Sequence, residues 1–459
     1  MKKLILRSSF YVLLACVTMQ LSAQITVSSL KQLKEYTDQD DVKVKMTPGT
    51  YYFNTDNCGE GKLFSDPTLL LFTGSNATFD FTGVKFEYDT KIFKSFGRVE
   101  VIEFQVVGKN SVYLNLTMED IGNTTPTRTA LCMSLDGEKN RIEGFTATTR
   151  GSSPYGYGDV FGKGGGALVG LHKHGGCQFR GIDNHLKDCK FYLFSYGHGI
   201  FIQGATNALV EGCYLEGELR TTDEVLAEAG TGSIADKLDF MTTWGYKLQP
   251  GYTFSLQEDG IRTYSKGILY GTDKQIPTGN VTVKGCTIVK MRSGVTIGLV
   301  GTTKYVENCT ALACESGFWV GANADVVNCK GDASVGPLYS EDINRNNANI
   351  DLTLLDNYIP KQGNTPTVYL AGDSHHFTLK DGTTAFDPNV EILVGGKRFG
   401  HRWLEGSEEK PPYRAAKNIT IDNQTKYPIN LGKNSSNCKV HSIGEVRDNG
   451  TGNLVTRSR

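Results

Sequence analysis

Side chains that can transfer protons or bind anions are concentrated in two parts of this 459-residue sequence. Half of the eight histidines fall within 27 residues, namely His172, His174, His185 and His198. The second part combines acidic, cationic and aromatic residues: Glu258, Asp259, Arg262, Tyr264, Lys266 and Arg292. Imidazole, phenol and ammonium groups act as general acids and bases, and arginine binds carboxylates through paired hydrogen bonds. Together these residue types predict proton transfer on an anionic substrate.

One reaction that needs these groups is β-elimination beside a carboxylate. A base removes the proton next to the carboxylate, whose charge must be neutralised before an enolate-like state can form. The candidate acids and bases are Lys266, His198, Tyr264 and His172, and nearby cations would depress the pKa of a lysine or tyrosine. Arg262, grouped with these catalytic residues, and Arg292, grouped with the substrate-binding residues, are the candidate carboxylate ligands.

The elements that position these residues repeat along the chain. Each repeat has an apolar residue three positions before a cysteine, then a polar or acidic residue, then Gly, Asn or Asp. The five cysteines at this position are Cys189, Cys213, Cys286, Cys309 and Cys329. Arg141 to Phe145 fits the same frame with Phe in place of Cys. The second of the four spacings between these cysteines, from Cys213 to Cys286, is about three times as long as the others, which predicts extra coils or one long insertion.

A second short segment follows each cysteine segment and alternates strictly between apolar and other residues. Two columns of apolar residues are expected to point inward. The first contains Ile200, Ile261, Val295 and Phe318, and the second contains Ile202, Thr263, Ile297 and Val320. The residues between them should point outward: Phe201, Gln203, Arg262, Tyr264, Lys266, Thr296 and Trp319. In the coil before the one that contains Phe201 and Gln203, we expect Leu168, Gly170 and His172 to take the same outward positions, continuing to His174.

Two short strands per repeat of about 20–24 residues, with no helical period between them, predict an all-β solenoid. We expect an N-terminal cap over about residues 24–52, regular coils over about 140–340, and less regular coils over 341–459, with a small separate β domain as the alternative for the last part. The repeated cysteines would form an inward ladder of core thiols instead of disulfides. Zinc is disfavoured, because no CxxC pair is present.

Two insertions interrupt the coils. Residues 218–256 contain Phe240, Trp244, Tyr246 and Tyr252, and residues 152–165 are rich in Gly and Tyr. Solenoid insertions commonly gather on the binding face. We therefore expect them to form walls or a lid over a groove, with decorative loops or an oligomer contact as the alternative. Within that groove the predicted substrate-binding residues are Arg292, Trp319, Gln203, His174 and Glu258.

The segment Met46-Thr47-Pro48-Gly49-Thr50-Tyr51, after a short amphipathic stretch at residues 30–36, resembles the first coil and helical cap of the pectate-lyase-like superfamily. The repeats at 140–330 are similar to the coils of that superfamily. This resemblance implies a right-handed parallel β-helix of the secreted, carbohydrate-active type. It specifies architecture better than chemistry, because the fold hosts lyases, hydrolases, epimerases and adhesins.

A sharper resemblance covers only part of a site. Tyr196-Gly197-His198-Gly199-Ile200 is similar to the Gly-His-Gly segment of polygalacturonase-type hydrolases, and Gly260 to Tyr264 is loosely similar to their later Arg-Ile-Lys segment. It implies that His198 assists the catalytic acid and that Arg262 binds a substrate carboxylate. The paired aspartates of that family are missing, because the aligned segment is Gly164 to Val169. Hydrolysis needs two carboxylates, unless Glu258, Asp259, Asp159 or Asp223 substitutes.

Charge and targeting signals bound the remaining possibilities. The net charge of −1 gives no indication of a nucleic-acid partner. Residues 1–23 have the basic start, apolar run and small-residue end of a secretory signal peptide, which predicts a secreted or periplasmic protein, with a lipid-anchored surface form as the alternative. No cofactor is predicted with certainty. Ca²⁺ is the candidate metal, with Asp259 as a ligand beside a substrate carboxylate.

These patterns predict a polysaccharide or oligosaccharide lyase that cleaves uronic-acid-containing glycans by β-elimination. Its partner would be an anionic glycan, bound by aromatic faces and cations. The alternatives on the same fold are a glycoside hydrolase, an oligosaccharide dehydratase or an epimerase. A non-catalytic glycan-binding β-helix is the third possibility, since it would keep Trp319 and the tyrosines without needing His and Lys in register.

Overall fold

A computed structural model describes residues 23–163, 166–300, 302–341, 346–361, 366–386, 391–396 and 414–457. The predicted signal peptide therefore lies, except for Ala23, outside the described residues. The same holds for Gly164 and Gly165 of the first insertion. Within the described residues the chain winds as a coil of short strands, and each turn contributes strands to three parallel faces.

Face 1 is the first strand of each turn. Its strands pair in parallel with those one turn away. They are Ile25–Val27, Lys43–Met46, Thr78–Asp80, Val112–Leu114, Arg141–Glu143, His185–Lys187, Ala208–Glu211, Val281–Lys284, Lys304–Glu307, Ala324–Gly331, Asn349–Leu355, His376–Gly382, Thr420–Asn423, Lys439–Ser442 and Leu454–Arg457.

Face 2 follows face 1 after a sharp corner and hydrogen-bonds into the same sheet. Its strands are Gly49–Phe53, Val84–Asp89, Thr117–Ile121, Thr146–Thr149, Lys190–Leu193, Tyr214–Glu216, Thr287–Val289 and Thr310–Leu312. Thr310–Leu312 pairs with the second half of Ala324–Gly331, so in that turn and the next two a single long strand continues both faces.

Face 3 closes each turn as a separate sheet of 13 strands. Its strands are Thr68–Phe72, Glu100–Val106, Thr129–Leu135, His174–Ile182, Ile200–Thr206, Ile261–Thr263, Ser293–Thr296, Ser316–Trp319, Tyr339–Ser340, Val368–Leu370, Ile392–Val394, Ile429–Leu431 and Val446–Asp448. Connections between parallel strands of one sheet are right-handed. The predicted all-β, right-handed parallel β-helix is therefore confirmed.

The shorter elements lie outside the three faces. The helices are Leu30–Lys34, Thr222–Leu226 and Ile234–Lys237, with a 3-10 helix at Thr90–Lys94. The antiparallel pairs are Gly162–Lys163 with Gly166–Ala167, Leu219–Thr221 with Thr253–Ser255, and Lys266–Ile268 with Gln275–Pro277. A small parallel sheet joins Gly372–Asp373, Ala416–Lys417 and Ser435–Ser436. None of the helices in the described ranges has the length and apolar character needed to cross a bilayer.

The residue before each repeated cysteine explains the sequence pattern. Asp188, Gly212, Gly285, Asn308 and Asn328 all have positive φ, between 51° and 63°. This left-handed conformation turns the chain from face 1 to face 2, and Gly, Asn and Asp adopt it at the lowest cost. The cysteine after the corner then points inward.

The cysteine ladder is confirmed as a set of core thiols. All ten cysteines among the described residues are free and buried. At Cys309, for example, Sγ contacts the carbonyl oxygens of Glu307 at 3.4 Å and Val283 at 3.7 Å. Cys213 and Cys286 lie on adjacent turns, because Ala208–Glu211 pairs directly with Val281–Lys284. Their wide spacing therefore reflects inserted residues within one turn.

The predicted inward columns and N-terminal cap are also present. Ile200 pairs with Ile261, which pairs with Val295, which pairs with Phe318, and all four are fully buried. Ser29 caps the helix Leu30–Lys34 through its side chain, which accepts a hydrogen bond from the Gln32 amide. Leu30 and Leu33 bury into the end of the coil core, covering the open edge of the first turn.

Candidate active site

The outward column predicted for face 3 is in register. Phe201 pairs with Arg262, Arg262 with Thr296, and Thr296 with Trp319. Phe201, Arg262 and Trp319 are half-buried, and Thr296 is buried. The column therefore presents an aromatic–cation–aromatic surface that is partly covered by neighbouring segments.

Just before these strands, the corners between faces 2 and 3 stack on one another. The amide of Glu258 donates to the Gly197 carbonyl at 3.0 Å, and the amide of Arg292 donates to the Glu258 carbonyl at 3.2 Å. This stacking brings the predicted residues His198, Glu258 and Arg292 together. We call the resulting group the corner cluster; it consists of Asp159, Lys173, His198, Glu258, Asp259, Arg262 and Arg292.

Arg292 is the centre of the corner cluster. Its Nη1 atom lies 2.8 and 2.7 Å from the two carboxylate oxygens of Asp159, and its Nη2 atom lies 2.7 Å from Oδ2 of Asp259. Arg262 donates to the same Oδ2 atom at 2.5 Å. Arg292 is only 7% exposed. Its guanidinium group is thus committed to protein carboxylates and organises the site, instead of being presented to a substrate carboxylate as expected.

The acidic residues of the corner cluster are held in their charged forms. Burial by itself raises the pKa of Asp259, but Arg292 and Arg262 hold that pKa well below its ordinary value. Burial likewise opposes ionisation of Glu258, and the charges of Lys173 and Arg292 help to lower its pKa overall. Lys173 Nζ lies 2.8 Å from Glu258 Oε1. Asp259, the candidate Ca²⁺ ligand, therefore already has two guanidinium partners, which would repel a cation.

His198 connects the corner cluster to the outward surface. Its Nδ1 atom accepts the amide of Asp259 at 3.2 Å, and its Nε2 atom lies 2.8 Å from the Tyr264 hydroxyl. Burial lowers the pKa of His198 to about 4, although Glu258 and Asp259 oppose this. The imidazole is therefore neutral near pH 7. With Nδ1 accepting, the hydrogen-bond network assigns the proton to Nε2, which donates to the tyrosine oxygen.

Tyr264 is suited to give a proton to a bound substrate. Burial raises its pKa, and the nearby charge of Arg262 only partly opposes this, so the phenol is protonated near neutral pH. Because His198 donates to the phenol oxygen, the proton of Tyr264 remains available to another acceptor. The guanidinium carbon of Arg262 lies 4.9 Å from the Tyr264 ring centre, and its Nε atom has no hydrogen-bond partner within the described chain.

The two insertions pack on each other beside the corner cluster. Tyr157 donates to Glu228 at 2.7 Å, and Arg220 donates to the Gly156 carbonyl at 2.9 Å. They share a small hydrophobic core, formed by Tyr157, Val160, Phe161, Val225, Ala235, Leu248, Phe254 and Leu256. Asp159 fixes this layer to Arg292. The insertions therefore form a wall that buries the inner side of the site.

A hairpin lies along face 3 at the far end of the same strands. It is formed by Lys266–Ile268 and Gln275–Pro277. Gly267 packs tightly against the backbone of Gln203, so a side chain at Gly267 would clash with the Gln203 carbonyl at 2.5 Å. Lys266 is exposed at the base of this hairpin and Gln203 is half-buried beside it. The predicted residues Lys266 and Gln203 thus flank the Arg262–Tyr264 surface without joining the corner cluster.

The predicted register one turn before Gln203 is wrong. The face 3 strand of that turn begins only at His174, and Gln178, not Leu168, pairs with Phe201. His172 precedes the strand and forms an antiparallel bridge with Ser153, with its Nδ1 atom buried and unpartnered. The register was misplaced because the first insertion hides where the strand begins.

His174 and Trp319 also differ from their expected surroundings. The His174 side chain is fully buried in the coil interior, so no substrate on the outer surface can contact it in this fold. Trp319 remains on the outward column, where its indole N–H donates to Glu341 at 3.0 Å and its ring lies over Gly298. The expectation that His174 binds substrate is therefore corrected, and Trp319 stays a candidate.

Three residues of the site were not singled out as members of one cluster. From the sequence, Asp159 is a candidate only as a substitute carboxylate, and neither Lys173 nor Tyr196 has a predicted role. Tyr196 donates to Asp159 at 2.7 Å, and the Lys173 ammonium lies 5.1 Å from the Tyr196 ring centre. Two signals were present in the sequence: Lys173 is adjacent to two histidines, and Tyr196 lies two residues before His198.

Comparisons with known proteins give only distant likenesses. No protein-family model matches the sequence. No curated protein matches it either. A PL6 alginate lyase in complex with a trisaccharide is 11% identical, with a TM-score of 0.44, covering 95% of this chain and 85% of that chain. The PL6 family polysaccharide lyase Pedsa3628 from Pseudopedobacter saltans is 11% identical, with a TM-score of 0.41, covering 94% and 92%.

An endo-xylogalacturonan hydrolase from Aspergillus tubingensis is 9% identical, with a TM-score of 0.32, covering 95% of this chain and 93% of that chain. At such identities and TM-scores these likenesses carry no weight for activity or substrate. The strand pairing of the chain itself is decisive for its architecture. On that basis the chain is a right-handed parallel β-helix, as its repeats predicted.

Proposed function

We propose that this protein cleaves uronic-acid-containing polysaccharides or oligosaccharides by β-elimination on the surface around Arg262 and Tyr264. The observation that carries the proposal is the hydrogen bond from neutral His198 to Tyr264, beside the half-buried cation of Arg262. It combines a proton donor and a carboxylate ligand on one outward strand. The predicted export would place this activity outside the cytoplasm, where such glycans occur.

In the proposed reaction the partly exposed guanidinium group of Arg262 binds the uronate carboxylate. A base removes the proton from the carbon beside that carboxylate, and its electron pair forms a carbon–carbon double bond. The bond to the departing sugar oxygen breaks, and Tyr264 donates its proton to that oxygen. Of the predicted bases, Lys266 and His172 remain, because His198 is committed to Tyr264 and to the Asp259 amide.

The charge state of the carboxyl groups favours elimination over hydrolysis. A glycosidase needs one carboxyl group with a raised pKa as its acid and a second as base or nucleophile. In the corner cluster the pKa values of Glu258 and Asp259 are lowered, and each carboxylate pairs with cations. Neither is therefore suited to protonate a departing oxygen near neutral pH.

The test is to incubate the protein with pectin, alginate, ulvan, glycosaminoglycans and short uronate-containing oligosaccharides. We expect new ultraviolet absorbance from a double bond conjugated to the carboxylate, and products of matching mass. New reducing ends without that absorbance would show hydrolysis. Retention of a glycan without any product would show a binding protein, and either result would overturn the proposal.

Variants locate the activity. Tyr264→Phe removes only the phenol oxygen and should reduce turnover by about 100-fold or more. The matched control is Tyr305→Phe, because Tyr305 is a half-buried outward tyrosine on face 1 with Lys284 over its ring. Lys266→Ala and His172→Gln identify the base, since only one of them should abolish turnover. Full activity of Tyr264→Phe would remove Tyr264 from the mechanism.

A further inference from the structure

Three ionisable side chains meet inside the coil, away from the proposed active site. Glu103 lies on a face 3 strand, Asp120 on the face 2 strand of the next turn, and His174 at the start of the face 3 strand of the turn after that. We call them the interior triad. All three are at most 1% exposed. Three successive turns therefore contribute one ionisable group each to a single point in the core.

The geometry of the interior triad suits a metal ion. One ligand atom from each residue can be chosen so that all lie within 4.8 Å of one another. His174 Nε2, the ring nitrogen without a hydrogen-bond partner, is 3.7 Å from Glu103 Oε1. Ligand atoms around a bound first-row metal are about 3–4 Å apart, since each lies about 2 Å from the ion.

Each residue of the triad has one side-chain atom without a hydrogen-bond partner. Glu103 Oε1, Asp120 Oδ1 and His174 Nε2 are buried without a hydrogen-bond partner. The Tyr88 hydroxyl, whose residue pairs with Asp120, is also fully buried and unpartnered. Buried polar atoms are nearly always satisfied, so four orphans in one place require an occupant.

The atoms that are already bonded hold the triad in a ligating arrangement. The Arg150 amide donates to Asp120 Oδ2 at 2.7 Å, and the Arg150 carbonyl lies 2.6 Å from His174 Nδ1. His174 therefore donates from Nδ1 and leaves Nε2 as an acceptor. This is the pattern of metal-binding histidines, whose second nitrogen is fixed by a carbonyl or carboxylate.

We propose that Glu103, Asp120 and His174 bind a divalent first-row transition ion, with Zn²⁺ as the reference metal. One imidazole and two carboxylates suit such an ion better than Ca²⁺ or Mg²⁺, which prefer oxygen ligands alone. The ion supplies the positive charge that the triad lacks and cross-links three turns. The ion also fixes His174, the first residue of its strand. The residue before it, Lys173, pairs with Glu258 in the corner cluster. The competing occupant is a proton shared between the two carboxyl groups.

The first experiment measures the metal content of the full-length protein, purified after expression with and without added Zn²⁺. We expect a single bound ion per chain by elemental analysis. Removal with a strong chelator should lower the thermal unfolding midpoint by several degrees, and Zn²⁺ added during refolding should restore it. Refolding is included because the site is fully buried.

Variants assign the bound metal to the triad. Glu103→Gln and Asp120→Asn keep the side-chain shape but remove a charge, and both should lose the ion and the response of the midpoint to Zn²⁺. The control is Asp422→Asn, which alters a partly exposed aspartate beside His441 and should keep both. A protein that takes up no metal, or variants that bind Zn²⁺ as the natural chain does, would overturn the proposal. In the first case the shared proton is the occupant.

Discussion

The interior triad is fully buried and the corner cluster is mostly buried, and the two groups differ in their charge balance. In the corner cluster Lys173, Arg262 and Arg292 face Asp159, Glu258 and Asp259, and neutral His198 adds no charge. In the interior triad two carboxylates share one imidazole, and burial raises the pKa of Glu103 well above its ordinary value. The first group is complete as a preformed protein site, whereas the second needs a cation or a proton.

The comparison teaches which buried charges can carry chemistry. Ion pairs inside a protein offset the cost of desolvation only when each charge has partners in good geometry. The corner cluster meets this condition and can hold Tyr264 and Arg262 in fixed positions. The interior triad does not meet this condition by itself, because its carboxyl groups lack cationic partners, and it therefore indicates a bound ion or proton.

The largest expected effect comes from removing the central cation of the corner cluster. Arg292→Met leaves Asp159 and Asp259 buried without their shared partner, and should lower the free energy of unfolding by about 3–5 kcal/mol. Arg447→Met breaks an exposed pair with Glu445 and should change it by less than about 0.5 kcal/mol. Chemical denaturation measures both. If both variants lost the same free energy of unfolding, Arg292 would not be the cation that compensates the buried carboxylates of the cluster.

Acid should weaken the corner cluster through His198. The pKa of His198 is about 4 in the folded chain, against an ordinary value of 6.5. Between these values the unfolded chain binds more protons, so stability falls as the pH drops from 6.5 and the loss is complete near pH 4. The contribution is about 3 kcal/mol. His198→Asn should remove it, giving a shallower dependence of the denaturation midpoint on pH. An unchanged slope would contradict a neutral, buried His198.

The same substitution should act in opposite directions in the two groups. In metal-free protein, Glu258→Gln removes a charge that Lys173 stabilises and should cost about 1–3 kcal/mol. Glu103→Gln replaces a carboxyl group whose pKa burial raises well above its ordinary value, so it should leave the protein equally or more stable. Urea denaturation of the two variants side by side measures the difference. If both variants were destabilised by the same amount, the two groups would not differ in charge balance as described.

Much of the fold followed from the sequence because its signals are local. The alternation around Ile200 and Ile261 sets which residues enter the core, and the Gly, Asn or Asp before each cysteine marks a left-handed corner. Equivalent positions of a solenoid then stack without further information. The neighbours Phe201, Arg262, Thr296 and Trp319 could be placed in this way.

The parts that could not be predicted depend on residues brought in from outside the repeat. Asp159 reaches Arg292 from an insertion 133 residues away in sequence, and no periodic pattern links them. The same insertion obscures, in the sequence, that the strand begins at His174. The prediction therefore put His174 on the outer side of the sheet, whereas its side chain is buried inside. The interior triad falls partly in early turns where no cysteine marks the repeat. Its one visible signal is Glu103 inside an apolar strand.

The ladder of buried thiols gives this protein a set of internal reporters. Its described cysteines run from Cys58 to Cys438, and eight of the ten lie between Cys132 and Cys329, on the turns that include the insertions. A thiol inside a closed turn is shielded from alkylating reagents, so each cysteine becomes labelled only when its own turn opens. Mass spectrometry of labelled peptides would thus follow, turn by turn, whether the coil unravels from its ends or opens first where the insertions interrupt it.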